Sequence, residues 1–175
     1  MNCFITHRCP DAAARDHCDK HLVKMILETA QLLSTAHHLE GDPADVPGIY
    51  KPTHRNHPSA VWVRETSSNY TWAYDLFVAL CREYSVRYGR VHLTETKLRD
   101  ALMTMPRHIT RAELTPPPAC MPSEFRLPEE EGEWPIQSYR QYLARGKDWL
   151  TVDSFQKRGG GAPTWFRQLA EEVTL

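Results

Sequence analysis

No apolar run in this chain of 175 residues approaches the ~20 that a membrane-spanning helix needs. The opening MNCFITHRCPDAAARD lacks the basic-then-apolar order of a secretion signal, so a cytoplasmic protein with no membrane partner is expected. Neither sign of charge is in excess: 21 Lys and Arg face 22 Asp and Glu, a net charge of -1 with His neutral. Such a balance exerts no global pull on nucleic acid or membrane, and any anion site must come from local clustering. Several chemical motifs are also missing. The glycine run at 159–161 is not followed by Lys-Ser/Thr and is no phosphate-cradling loop, and no GxSxG nucleophile elbow occurs. The five cysteines form no CxxC pair; their odd number, in a chain too large to need staples, points to reduced thiols. There is no internal repeat and no convincing alternation of apolar and polar residues.

What remains is helical periodicity. The fold class expected is mainly α: one compact helical bundle over 1–175, with long ordered loops and little or no sheet. MNCFIT reads as a short strand or an extended segment on the core. Pro10 and Asp11 start a first helix that breaks near Asp16. The stretch CDKHLVKMILETAQLL then opens a long helix that continues to about His38. A loop rich in Pro and Gly follows over 41–60. A second long helix begins at Ser59 or Ser67 and ends at Tyr88, with Gly89 as its C-cap. Thr94 is expected to cap a third helix that stops at Pro106, and PIQSYRQYLAR forms a fourth. Residues 115–134 form a proline-rich and acidic surface segment that ends in the knot Glu129, Glu130, Glu131 and Glu133. Residues 158–175 form an aromatic tail carrying Trp165 and Phe166, which are expected to close the core.

The long helix contains an anomaly. His21, Lys24 and Glu28 stand at i, i+3 and i+7 in an otherwise apolar run and share one face. An ionised Glu and a Lys cost several kcal/mol to bury unless they are paired or border a cleft. The face is therefore either solvated or lines a site, with Glu28 as a general acid/base beside a His. A second cluster, His54-Arg55-Asn56-His57, has Lys51 before it and Arg64 after it. A basic, amide-bearing loop ahead of an aromatic helix suits phosphate and base contacts; it also suits a turn whose polar residues cap helices. Seven of the nine histidines lie in the first 57 residues, and His17 and His21 stand at i, i+4. Without a CxxC pair or an HExxH pattern, that clustering assigns no metal.

The run DKHLVKMILE resembles the first long helix of the phage pyrimidine dimer DNA glycosylases, also called UV endonuclease V, in which a helical His precedes the catalytic Glu by seven residues. NHPSAVWVRETSSNYTWAYDLFVALCREYSVRYGR resembles that family's second helical block, and APTWF its aromatic end. The combination of CDKH, YKPTHRNHP, WVRE and NY is similar to small phage and bacterial glycosylase-like proteins. The resemblance implies a helical domain that binds duplex DNA and extrudes a nucleotide. It also implies an N-terminal α-amine as nucleophile and an imine intermediate, with no metal or cofactor. Carried over residue by residue, it makes Glu28 the catalytic carboxylate, His21 its companion and the Met1 amine the nucleophile. Beside the resemblance, which does not name Lys24, the residues themselves make Lys24, Lys51, His54, Asn56, His57, Arg64 and Asn69 candidate contacts to DNA or a nucleotide. The sequence differs from the family at Asn2, where the family exposes a Thr amine after losing Met1. It differs again at Leu27 and Gln31, which stand where the family flanks its Glu with arginines.

Three functions are thus expected in order. The first is a repair glycosylase and AP lyase acting on damaged pyrimidines. The second is a different enzyme on the same scaffold, acting on nucleotides or modified bases through a His/Glu pocket. The third is a non-catalytic nucleic-acid binding protein.

Overall fold

The structure, a computed structural model, describes residues 2–128, 135–158 and 160–172. The acidic knot at 129–133, Met1 and Gly159 lie outside the described residues. Among the described residues there are seven α-helices and no strand. They are α1 (Pro10–Arg15), α2 (Asp19–Glu40), α3 (Pro58–Glu65), α4 (Ser67–Tyr88), α5 (Leu93–Met103), α6 (Ile136–Arg145) and α7 (Thr164–Glu171). None is long and apolar enough to cross a membrane. The mainly α class agrees with the periodicity of the sequence.

The two longest helices, α2 and α4, pack against each other and form the frame. Their facing stripes, Leu22, Met25, Ile26 and Leu33 on one side and Ala73, Leu76, Phe77 and Leu80 on the other, are fully buried. The small Ala73 lets the two backbones approach, while the neighbouring Leu76, Phe77 and Leu80 fill the rest of the seam. Helix α1 lies on α4, α3 on α2 and α4, and α5 across α2 and α4; α6 and α7 pair with each other. One buried cluster draws on all seven helices.

The helix ends show where local signals acted. Pro at the first position starts α1 and α3, and His57 caps α3 by accepting the Ser59 amide at Nδ1. The second expected helix is in fact two. Thr66 is extended (φ -135°, ψ 158°), ends α3, and caps α4 through a bond from Asn69 N to its hydroxyl. Gly89 ends α4 at φ 65°, in the left-handed region that a glycine adopts without cost. The cap of α5 is His92, slightly earlier than Thr94; its ring nitrogen accepts from Thr94 N. Thr94 itself is buried and bonds the Tyr50 hydroxyl. In the tail, Phe166 is 1% exposed and closes the core, while the half-buried Trp165 donates to Asp16. Glycine at 160 is required by a close approach: a Cβ there would lie 2.7 Å from the Arg87 guanidinium carbon.

The proline-rich stretch runs without helix apart from a 3-10 turn at Ser123–Phe125, and lies over α3 and α4. Asn69 holds it there. The Asn69 side chain is fully buried and uses both ends of its amide. Its Nδ2 donates to Trp62 O and to the Thr115 hydroxyl, and its Oδ1 accepts from Thr115 N, all at 2.8–2.9 Å. The sequence placed Asn69 among the expected substrate contacts. A fully buried amide bonded at both ends cannot reach a ligand, so its role is corrected to a structural one. Asn69→Ala should strip the partners from Thr115 N and Trp62 O and lower stability by ~3 kcal/mol, read as a drop in thermal midpoint. A variant that melts with the wild type would refute this role.

Candidate active site

The first described residues run into the core outside any helix, with Cys3, Phe4, Ile5 and Thr6 all buried. A buried segment of that kind with no neighbouring strand must find other partners for its backbone. Asn2 supplies two of them from its own side chain: Oδ1 accepts from Cys3 N at 2.8 Å and from Phe4 N at 3.3 Å. Its Nδ2 donates to Cys120 O at 2.7 Å, across 118 residues of chain. The Asn2 backbone N–H points to α2 and donates to Glu28 Oε2 at 3.2 Å. Phe4 is held at φ 43°, an uncommon value for a bulky residue.

Glu28 sits more than two turns into α2 with only 13% of its side chain exposed. Lys24, one turn earlier and 66% exposed, approaches its other oxygen at 3.2 Å. The carboxylate thus has an amide on one oxygen and an ammonium on the other. The segment over 50–53 is laid along the later turns of the same helix. Tyr50 N donates to the Ser34 hydroxyl, and Thr53 N donates to the Thr35 hydroxyl. Beyond Thr53 the chain turns through His54, at φ 48°, and reaches His57 at the start of α3. Because His57 Nδ1 accepts from Ser59 N, the proton of the neutral ring belongs on Nε2. Burial holds the His57 imidazole below its usual value; the Glu28 charge, which reaches it, opposes that shift. Ser59 Oγ and Cys120 Sγ lie 3.4 Å apart beside it. Burial, and then the neighbouring Cys120 and Glu28, push the Cys3 thiol up to about 12, which removes Cys3 as a nucleophile near neutrality. Asn2, Glu28, His57, Ser59 and Cys120 therefore form one cluster, contributed by the N-terminal segment, α2, α3 and the proline-rich stretch.

His21 is not part of it. Seven residues of helix rise separate it from Glu28 by ~10 Å. Its ring stacks on Phe4 with centroids 4.7 Å apart and meets Trp149 edge-on at 5.1 Å. Burial, then the charges of His17, Lys147, Lys24 and Lys20, lower its pKa to about 3. A ring neutral at pH 7 is no proton donor of the imidazolium kind, so its expected role as the companion of Glu28 is corrected to packing between Phe4 and Trp149.

Lys51, His54 and Asn56 are exposed on the loop between α2 and α3. Arg64 is mostly buried and pins that loop, donating to Arg55 O at 2.8 Å and lying 3.7 Å from Glu40, which leaves it a structural part. Among the described residues no group of three or more His, Cys, Asp or Glu is placed to hold a metal. Sequence reasoning misses Asn2 as a structural pin, and misses Ser59 and Cys120. Ser59 follows the HP pair directly, which is a usable signal; Cys120 carries none, because its place depends on the wrap of the proline-rich stretch. No protein-family model, curated protein or solved structure matches the chain.

The two histidines of the α2 entrance have a measurable consequence. Burial lowers His17 to about 4 and His21 to about 3, against 6.5 for a free imidazole. The unfolded chain then binds more protons than the folded one below pH ~6.5. Their contribution to stability is complete above that pH and is lost as the pH falls toward the folded values. The denaturant midpoint should fall between pH 7.5 and pH 5, and less steeply in a His17→Gln, His21→Phe double variant. Identical slopes for the two proteins would show that the rings are not held neutral.

Proposed function

We propose that the chain is a DNA glycosylase with AP-lyase activity on damaged pyrimidines, with Glu28 as the catalytic carboxylate and an N-terminal amine as nucleophile. One observation carries this reading: the backbone nitrogen of Asn2 lies 3.2 Å from Glu28 Oε2. The start of the chain and the one carboxylate singled out by the helix pattern meet, although nothing local in the sequence requires it.

In this mechanism a neutral α-amine, whose ordinary pKa of about 8 leaves a useful fraction unprotonated at pH 7, attacks the sugar C1′. The bond from C1′ to the base breaks, and the base leaves with the electron pair and takes up a proton. Glu28 stabilises the cationic sugar, accepts a proton from the attacking nitrogen and returns it to O4′ as the ring opens to the imine. Loss of a C2′ proton then expels the 3′ phosphate and nicks the strand. Water releases the amine. While Met1 is attached, the Asn2 nitrogen is an amide and cannot attack; the Met1 amine acts from one residue outward, ~3.8 Å along the chain. On a chain shortened to Asn2, the attacking amine is already at Glu28. Exposed Lys24 and Lys51 supply positive charge for phosphates, and the exposed His54 ring a further polar contact.

A second reading draws on a separate observation, the gathering of Glu28, His57, Ser59 and Cys120 around Asn2. With Nε2–H of His57 and the Glu28 carboxylate on one cluster, the same site suits acid/base work on a nucleotide or modified base, without an amine nucleophile.

Borohydride should trap a covalent protein–DNA adduct on duplex containing an abasic site or a pyrimidine dimer. Mass spectrometry of the adduct should place the link on the α-nitrogen of residue 1 or 2. Glu28→Gln should lower the trapping rate by about 10²–10⁴. Absence of an adduct on both substrates, or an adduct that persists after the α-amine is blocked, would overturn the glycosylase. Turnover of free nucleotides abolished by Glu28→Gln and by His57→Ala would then favour the second reading.

A further inference from the structure

From Glu28 toward the start of α2, a second group of side chains gathers that the mechanism above does not use. Trp149, on the loop after α6, is 45% exposed. Lys20 Nζ stands 4.7 Å from the centre of its ring, and Lys147 Nζ stands 6.0 Å away. Lys147 also lies 4.7 Å from the centre of Tyr142 and 5.4 Å from that of Phe4. His21 is wedged between Phe4 and Trp149, and the charges of Lys20, Lys24 and Lys147 all reach it.

This is an arrangement of cations over aromatics with few anions. Among the described residues, neither Lys20 nor Lys147 has a carboxylate in ion-pair contact, and Asp148, next to the tryptophan, has no cation in such contact. Asp19, adjacent to Lys20, is turned to Arg87 at 3.2 Å. The platform has a rigid floor: Phe4 is locked under His21 by Asn2 and is held at φ 43°. Backbone strain of this kind persists where surrounding structure enforces it, and it clusters at ligand sites. An ammonium over an exposed indole is held more weakly than a stacked nucleobase, so a base can displace it and leave the ammonium for the phosphate.

We propose that Trp149, with Lys20 and Lys147 around it, is a second nucleotide subsite that takes one unpaired nucleotide of a DNA strand, base on the indole and phosphate between the two ammonium groups. The site rests on the nucleic-acid reading above for its ligand class. Lys24 joins the two places: it pairs with Glu28 at 3.2 Å, and its charge reaches His21. A strand whose reacting sugar sits at Glu28 thus has a neighbouring unpaired nucleotide at Trp149. The subsite accepts any base, since the indole face reads no edge pattern.

The test is binding of labelled pentathymidylate to the full chain, read by fluorescence anisotropy, with polyphosphate of the same charge as the comparison probe. Trp149→Ala should weaken pentathymidylate at least tenfold and leave polyphosphate unchanged, while Trp149→Phe stays within about threefold of wild type. The pair Lys20→Gln, Lys147→Gln should reduce the slope of log affinity against log salt by about 1.4. Equal affinity of Trp149→Ala and wild type for pentathymidylate overturns the platform, as does an equal loss for both probes, which would mean charge alone. Should Trp149→Ala fail to fold, the salt slope of the lysine pair and the Trp149→Phe affinity decide. Binding through Trp149 without any borohydride adduct keeps the subsite and removes the glycosylase. An adduct with binding indifferent to Trp149 does the reverse.

Discussion

The arrangement of this protein depends on burying five residues, 2–6, that belong to neither helix nor sheet, against a helix. A backbone in that position would lose several hydrogen bonds to water, at a cost of roughly 1–3 kcal/mol for each group left unpaired. The chain meets the demand piecemeal. Asn2 Oδ1 takes two amides, Glu28 takes the Asn2 amide, and Arg140 Nε donates to Thr6 O at 2.9 Å. Just beyond, Trp72 Nε1 donates to Arg8 O at 2.7 Å. Each partner comes from a different part of the chain. The segment therefore ties α2, α4, α6 and the proline-rich stretch together, and in doing so sets its first nitrogen on the carboxylate.

A second buried polar group keeps the frame in register. Arg87, near the end of α4, has 2% of its side chain exposed. It donates to Glu83, to Asp19 and to the carbonyl oxygens of His17 and Arg15. Removing any one carboxylate would leave a charge partly unpaired in a dry place, which is strongly destabilising. The knot closes the junction of α1 and α2 against α4. It also fixes the direction in which α2 sets out, and hence the face that Lys20, Lys24 and Glu28 share. The site and the platform are two stations on one helix face, and Arg87 orients that face from behind.

The helices are legible because their signals are local. The apolar stripe of α2, the Pro starts of α1 and α3 and the Gly89 end of α4 each lie within a few residues of what they control. The misreadings have a common cause. Thr94 has the chemistry of a cap, but with its hydroxyl buried against Tyr50 the cap falls to His92. Asn69 has the chemistry of a ligand contact, but its amide is claimed by Thr115, 46 residues away. His21 shares a helix face with Glu28 at the level of pattern; seven residues of rise, and the Phe4 ring stacked on it, put it in a different neighbourhood.

The helical class and the approximate helix boundaries are legible in the sequence, and so is the anomaly of a Glu at position 28 in an otherwise apolar run. Periodicity and capping are properties of adjacent residues, and a single chain displays them openly. What Glu28 faces depends on packing between distant parts of the chain. Its contact with Asn2 closes 26 residues of chain, and the bond from Asn2 to Cys120 closes 118. Loop closures of that length leave no mark on residue spacing; they follow from how the packed helices leave a buried non-helical segment to find hydrogen bonds wherever side chains offer them.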